Sequence, residues 1–349
     1  MAYSTINKST DFFNTVLYTG NDQNSRAVTG VGFQPDWAWL KNRSLTYSHQ
    51  TFDAVRGATD GALYTDLTNA VDTSYPISSF DSDGITLRAT SHVSQNGNND
   101  NFVLWNWKAG TTSGLSGGTI TPSAYSINTT AGFGIYKYSG NGYAGATIAH
   151  GLGAKPHLIL VKILNTTDNW CGYHKSLGAH YKAASLDSNT TSHDHPDYFN
   201  DTEPTSSVFS LGGGDNGNNS GEKNIAYCFT DIKGFAKHGS FIGNGSSDGP
   251  FIHTGFKPAL IIGKNTSRSD DWFMLDNKRD TFNPVDQRLQ PNSSGTESTV
   301  TSLGIDFCAN GFKLKGATNQ YNPSGETMIY MAFAESPFVN SNGVPTNAR

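Results

Sequence analysis

His193, Asp194 and His195, with Asp197 two residues on, form the densest group of metal-ligand side chains in the sequence. Imidazoles and carboxylates could hold a divalent ion, but two histidines at i and i+2 with no distant partner do not complete a coordination shell. We therefore assign no metal here and expect a solvated loop, with His193 and His195 as candidate ligand contacts. Asp270-Asp271-Trp272 is a second candidate loop of this kind, since recognition commonly sits on loops held by a rigid scaffold. Asp53 with Arg56 and Asp276 with Arg279 repeat the same three-residue spacing. A carboxylate and a guanidinium could bind or turn over a substrate, but an ion pair bracing a corner of the fold is the plainer reading. There is no GxSxG elbow, HExxH, GxxxxGK[ST] loop or GxGxxG opening a helix, so no catalytic residue and no cofactor is implied.

A repeat positions these residues. Tyr18-Thr19-Gly20-Asn21, Tyr138-Ser139-Gly140-Asn141 and Phe241-Ile242-Gly243-Asn244 each read as a strand running into a tight reversal, where Gly and Asn tolerate positive φ. Each is followed by a proline and an apolar run ending in lysine: Pro35 to Lys41, Pro156 to Lys162, Pro258 to Lys264. The lysine stands six residues after the proline in every copy. Proline suits the start of a strand, and the bulky run predicts a central strand buried on both faces, with the lysine emerging at its end. Later blocks keep the same order, closing with Phe102–Trp107, Asn224–Phe229 and Met328–Phe333. An unvarying order of blocks points to duplication.

The expected fold is all-β: three tandem β-sandwich-like repeats of about 100 residues. Boundaries follow at 1–110, 132–237 and 238–338, with a Gly/Ser/Thr linker or exposed arm at 111–131 and a tail at 339–349. The linker would let the first repeat be displaced from the others. The one stretch read as a short helix is Gly61 to Val71. The six tryptophans invite a sugar-stacking reading, but alternation places Trp37 with Trp39, and Trp105 with Trp107, on shared faces that suit a core.

Composition narrows the function. Charged residues are 15% and the formal net charge is −5, with no basic stripe to bind nucleic acid. No run approaches the ~20 apolar residues of a membrane span. Met1 to Asp11 lacks the apolar stretch of a signal peptide. Cys171, Cys228 and Cys308 form no CxxC pair and read as small hydrophobes of a protein made in a reducing cytoplasm.

The runs TGVGFQPDWAWLKNRS, FDAVRGAT, FDSDGITL and FVLWNWKAG, with AGATIAHGLGAKPHLILVK, IGNGSSDGPFIHTGFKPALIIGKN and MIYMAFAESPF further on, resemble a repeat module widespread in proteins of marine bacteriophages. The resemblance runs from about Met1 to Phe338. It implies a virion structural protein made in the host cytoplasm: a tail-fibre or appendage component touching the host surface, or alternatively a capsid decoration protein. A polysaccharide-degrading enzyme is the remote alternative, and would need two carboxylates across a cleft. The implied partners are other virion proteins and a host surface glycan, in a homo-oligomer or symmetric array, with no nucleic acid and no membrane insertion.

Overall fold

The apolar runs after Pro35, Pro156 and Pro258 each become the middle of an antiparallel sheet. The computed structural model describes residues 4–177, 182–214 and 217–337. Unit 1 contains β1 Phe13–Thr19, β2 Ala27–Thr29, β3 Trp37–Asn42, β4 Gln50–Asp53, β5 Leu63–Tyr64, β6 Ser79–Asp81, β7 Gly84–Thr86 and β8 Asn101–Trp107. Unit 2 contains β9 Ala124–Asn128, β10 Phe133–Ser139, β11 Ala146–Ala149, β12 Leu158–Ile163, β13 Cys171–His174, β14 Lys182–Ala183, β15 His193–Asp194, β16 Val208–Leu211 and β17 Lys223–Phe229. Unit 3 contains β18 Ala236–Ile242, β19 Phe251–His253, β20 Phe256–Asn265, β21 Phe273–Asp276, β22 Gln287–Arg288, β23 Ser298–Thr299, β24 Ile305–Cys308, β25 Gly311–Leu314 and β26 Thr327–Pro337.

One strand order recurs. It reads β1-β8-β3-β4 in unit 1, β10-β17-β12-β13 in unit 2 and β18-β26-β20-β21 in unit 3. Over each large sheet lies a small one, β2-β7-β6, β11-β16 or β19-β25-β24, so the fold is all-β and of sandwich type. The register is shared as well: Trp37 faces Trp107, Leu158 faces Phe229, and Leu260 faces Phe333. Pro258 lies inside β20 at a register shift, where its missing N–H breaks no regular ladder.

Both faces of each large sheet are apolar, and they are buried against different things. In unit 1, Ala38, Leu40, Phe52 and Leu104 pack outward with Val28 and Ile85 of the small sheet and with Leu87 just after it. In unit 2, Ile159, Val161, Ala226 and Cys228 meet Ile148, Phe209 and Leu211 in the same way. The other face points inward. One continuous cluster takes in Trp37, Trp39, Trp105 and Trp107, then Leu158, Leu160, Tyr227 and Phe229, then Leu260, Ile262, Met331 and Phe333. At its centre the ring of Phe333 lies 5.4 Å from Trp107 and 5.7 Å from Phe229. Offset and edge contacts at such distances favour packed aromatic interiors.

Four expectations are corrected. Residues 111–131 are no free arm: β9 extends the sheet of unit 2 beside β10, and Thr111 bridges Ile127. Unit 1 is held there too, because Asp36 accepts hydrogen bonds from Ala109 N (2.7 Å) and Ser126 Oγ (2.8 Å). Gly61 to Val71 forms no helix; Leu63–Tyr64 pairs instead with Gln50–Thr51, and the φ of +107° at Gly61 is foreign to a helix. Lys41, Lys162 and Lys264 do not emerge into solvent but are fully buried. Finally, Gly20, Gly140 and Gly243 are not required for positive φ. A Cβ at each would sit 1.9, 2.3 and 2.1 Å from a carbonyl oxygen of Gly97, Asn219 and Pro323 respectively, so close backbone approach excludes any side chain.

The shared inner core predicts that no unit folds by itself. Excised residues 4–110 would expose Trp37, Trp39, Trp105 and Trp107 together, each carrying roughly 150–250 Å² of surface. We expect that fragment to show no cooperative melt by circular dichroism, and the full chain to unfold in one calorimetric transition. Separate transitions for separate units would contradict the shared core.

Candidate functional site

The recurring lysines and carboxylates lie at seams between units, and the seams close a ring. Lys162 Nζ, in unit 2, donates to Asp168 O of its own loop (2.6 Å) and to Thr68 O of unit 1 (2.9 Å). Lys264, in unit 3, reaches Asp270 O (2.7 Å) and Asn189 O of unit 2 (3.1 Å). Lys41, in unit 1, reaches Tyr47 O (2.6 Å) and Ser294 O of unit 3 (3.0 Å). Each lysine thus staples its own loop to the unit behind it, and the third contact returns to the first unit. Burial pushes all three ammonium groups down to about 8.

A second set of contacts follows the same cycle. Tyr227 Oη on β17 donates to Asp53 Oδ2 on β4 (2.8 Å), and Trp105 Nε1 on β8 donates to Asp276 Oδ2 on β21 (3.1 Å). At the corresponding place on β26 stands Met331, which has no hydrogen to donate. There the polarity reverses: His174, which replaces the aspartate on β13, uses Nε2–H to reach Tyr330 O (3.1 Å). His174 Nδ1 accepts from Ser176 N, which sets the tautomer. Burial holds its pKa down at about 3, so the ring stays neutral.

Each aspartate needs a counter-charge at this depth, and Arg56 and Arg279 supply it through Nε at 2.5 Å. Arg56 also donates to Gly61 O and Thr51 O, and Arg279 to Glu297 and Met274 O. Glu297 takes a two-pronged contact from Arg43 of unit 1 as well. Asp53 and Asp276 have no exposed surface, so neither pair faces a solvent cleft. Their chemistry is structural: each satisfies a donor from the neighbouring unit.

The candidate loops fare differently. His193 and His195 are partly exposed on β15 and its flank, with rings 5.4 Å apart, and His195 stacks on Tyr198 at 3.8 Å. Ser192 N donates to Thr266 O, so this loop also lies against unit 3. Among the described residues, no three His, Cys, Asp or Glu side chains gather as a metal site. Asp271 is committed to Gln290 and Asn292 at 2.8 Å each. Trp272 is 3% exposed and donates to Ser185 O, so its indole belongs to a seam and is closed to ligand; the other five tryptophans are buried too. Cys171 and Cys228 are buried, and Cys308 is partly exposed.

Sequence reasoning missed Asn96, Asn218 and Asn322. Each is buried and takes the backbone N–H of Asn21, Asn141 or Asn244 on its side-chain oxygen, at 3.1, 3.0 and 2.9 Å. The Gly-Asn turns carried half of this signal; its partner lies about 75 residues away in the chain and shows no local pattern.

An open hollow of about 570 Å³ lies where unit 1 meets 108–126, with Asp36, Lys108 and Tyr125 in its lining. A smaller cleft of about 260 Å³ sits wholly on unit 1, between Tyr47, Tyr75 and His92. No helix among the described residues is long and apolar enough to cross a membrane.

Two predictions follow from the seams. Asp53→Asn strands Arg56 in the interior and should cost about 3–5 kcal/mol in urea unfolding, whereas Tyr227→Phe should cost about 1 kcal/mol. Equal small losses would show the pair to be solvated. The second concerns Lys162, whose folded pKa of about 8 lies below its ordinary 10.5. Between those values the unfolded chain binds the extra proton, so this group adds stability as pH rises from 8 towards 10.5 and removes it as pH falls back. The stability of the parent minus that of Lys162→Met should therefore rise between pH 8 and pH 10, a gap that grows with pH. A constant gap would place the ammonium in water.

The chain belongs to the family described as a domain of unknown function, DUF7483, whose model matches residues 8–337 in one stretch across all three units. The comparison with curated proteins gave no match, nor did the comparison with solved structures.

Proposed function

We propose that this chain is a structural protein of a bacteriophage virion, set in a tail fibre or similar appendage and touching the host surface. The observation that carries the reading is the closed ring of three like units, which gives one polypeptide the contact geometry of a trimer. A ring of that kind can seat on a partner with threefold symmetry, such as the end of a trimeric stalk. Its partners are then other virion proteins below and a host glycan at the exposed loops. The sequence resemblance to modules of marine phage proteins supports the same reading. So does a surface poor in charge, whose contacts lose little to salt screening.

The ring also suits a local threefold position on a capsid, where a single copy would decorate three shell subunits. Cryo-electron microscopy or immunogold labelling of intact particles separates the two. Density on the tail or its fibres is the expected result, and density on the shell would replace host contact with decoration. Absence from purified particles would overturn both.

A further inference from the structure

The unit 1 cleft differs from its counterparts in chemistry. Strand register aligns Tyr47-Ser48-His49 of unit 1 with Asp168-Asn169-Trp170 of unit 2 and Asp270-Asp271-Trp272 of unit 3. In unit 3 the middle side chain is spent on Gln290 and Asn292, and in units 2 and 3 the tryptophan is sunk into a seam. In unit 1 the same segment instead opens beside a row of aromatic rings. His92 makes edge contacts with Tyr75, 4.8 Å away, and with Tyr47, 6.1 Å away. Tyr64, Leu67, Asn69 and Asp72 also line it.

The polar groups of this cleft are held in place. Asp72 Oδ2 accepts from Tyr64 Oη (2.7 Å) and Oδ1 from Ser74 N (2.9 Å). Although desolvation opposes it, those bonds and the nearby Arg88 hold the carboxyl below its ordinary range, so it is ionised and accepts only. His92 Nδ1 accepts from Ser94 N (3.1 Å), capping the one-turn helix Val93–Asn96, which leaves the proton on Nε2 as a donor. Gln50, in the lining, accepts from the Gln95 amide through Oε1, and Gln95 Oε1 has no partner.

We propose that this cleft is a subsite for a neutral sugar, one or two pyranose rings in size. Tyrosine faces match the apolar C–H face of a pyranose, and a mixed set of an acceptor (Asp72), a donor (His92) and an amide (Asn69) matches hydroxyls that both give and take hydrogen bonds. A quaternary ammonium ligand would use the rings and the carboxylate but leave the donors idle. An anionic sugar would meet the Asp72 carboxylate in the lining, while Arg88, 5.3 Å from the Tyr75 ring centroid, is not part of that lining. The inference rests on the host-glycan reading above and gives it a place, on one unit of the ring.

The test uses the purified full chain and a panel of neutral disaccharides built from glucose, galactose and N-acetylglucosamine, read by saturation-transfer NMR and titration. At least one should bind saturably. Tyr75→Ala and Asn69→Ala should each weaken it about tenfold or more; Asn69 is exposed, so its loss leaves the fold intact. The Asn69→Ala melting curve should match the parent's, whereas Tyr75 also packs on the unit 1 core, so its loss is read against that of Asn69. No binding across the panel, or binding that ignores both substitutions, overturns the proposal. So does tighter binding of choline that responds to the same substitutions. None of these outcomes depends on where the chain lies on a particle, so the subsite can fail while the virion assignment stands.

Discussion

Each large sheet is apolar on two faces, and a small sheet can cover only one of them. The inner faces, with Trp37, Trp105 and Trp107 on one unit and Phe229 and Phe333 on the others, must therefore be covered by one another. Burying an aromatic side chain is worth roughly 1.5–3 kcal/mol, so leaving several in water would exceed the margin by which a domain is ordinarily stable. Mutual burial of three sheets makes a ring, and the seam contacts follow from that closure.

Polar groups inside the ring then face a strict condition, since a buried donor or acceptor without a partner is costly. The seams meet it by matching. Where the last strand offers Tyr227 or Trp105, the neighbour supplies Asp53 or Asp276, and each aspartate brings an arginine at the same spacing. Where the last strand offers Met331, the neighbour supplies His174 and no arginine, with Leu177 in that place. The exception in the middle copy is thus the same rule with donor and acceptor exchanged. A histidine kept neutral by burial needs no counter-charge, which explains why the basic residue vanishes with the aspartate.

The same closure separates scaffold from surface. Trp170 and Trp272 point into seams, and Tyr64 O and Ser185 O receive their indole N–H groups. In unit 1 the corresponding residue is His49, which accepts from Trp39 within its own unit. Three copies of one module can therefore share a skeleton while one of them presents a different outer cleft. The loops carry that difference because their side chains are free of the ring's polar matching.

Much of this was legible in the chain itself. Alternation put Trp37 with Trp39 in a core, the prolines and apolar runs marked the central strands, and the block order announced threefold repetition. Those are local signals, set by the two-residue period of a strand and by turn chemistry. The tertiary structure alone decided what the second apolar face meets. Lys41, Lys162 and Lys264 looked like strand ends entering water, and residues 111–131 like a tether, because a sequence shows polarity but not what closes over it. Trp272 looked available for the same reason. Partners such as Asp53 with Tyr227 are 174 residues apart, and only the packing of three sheets around one core brings such groups within reach of a hydrogen bond.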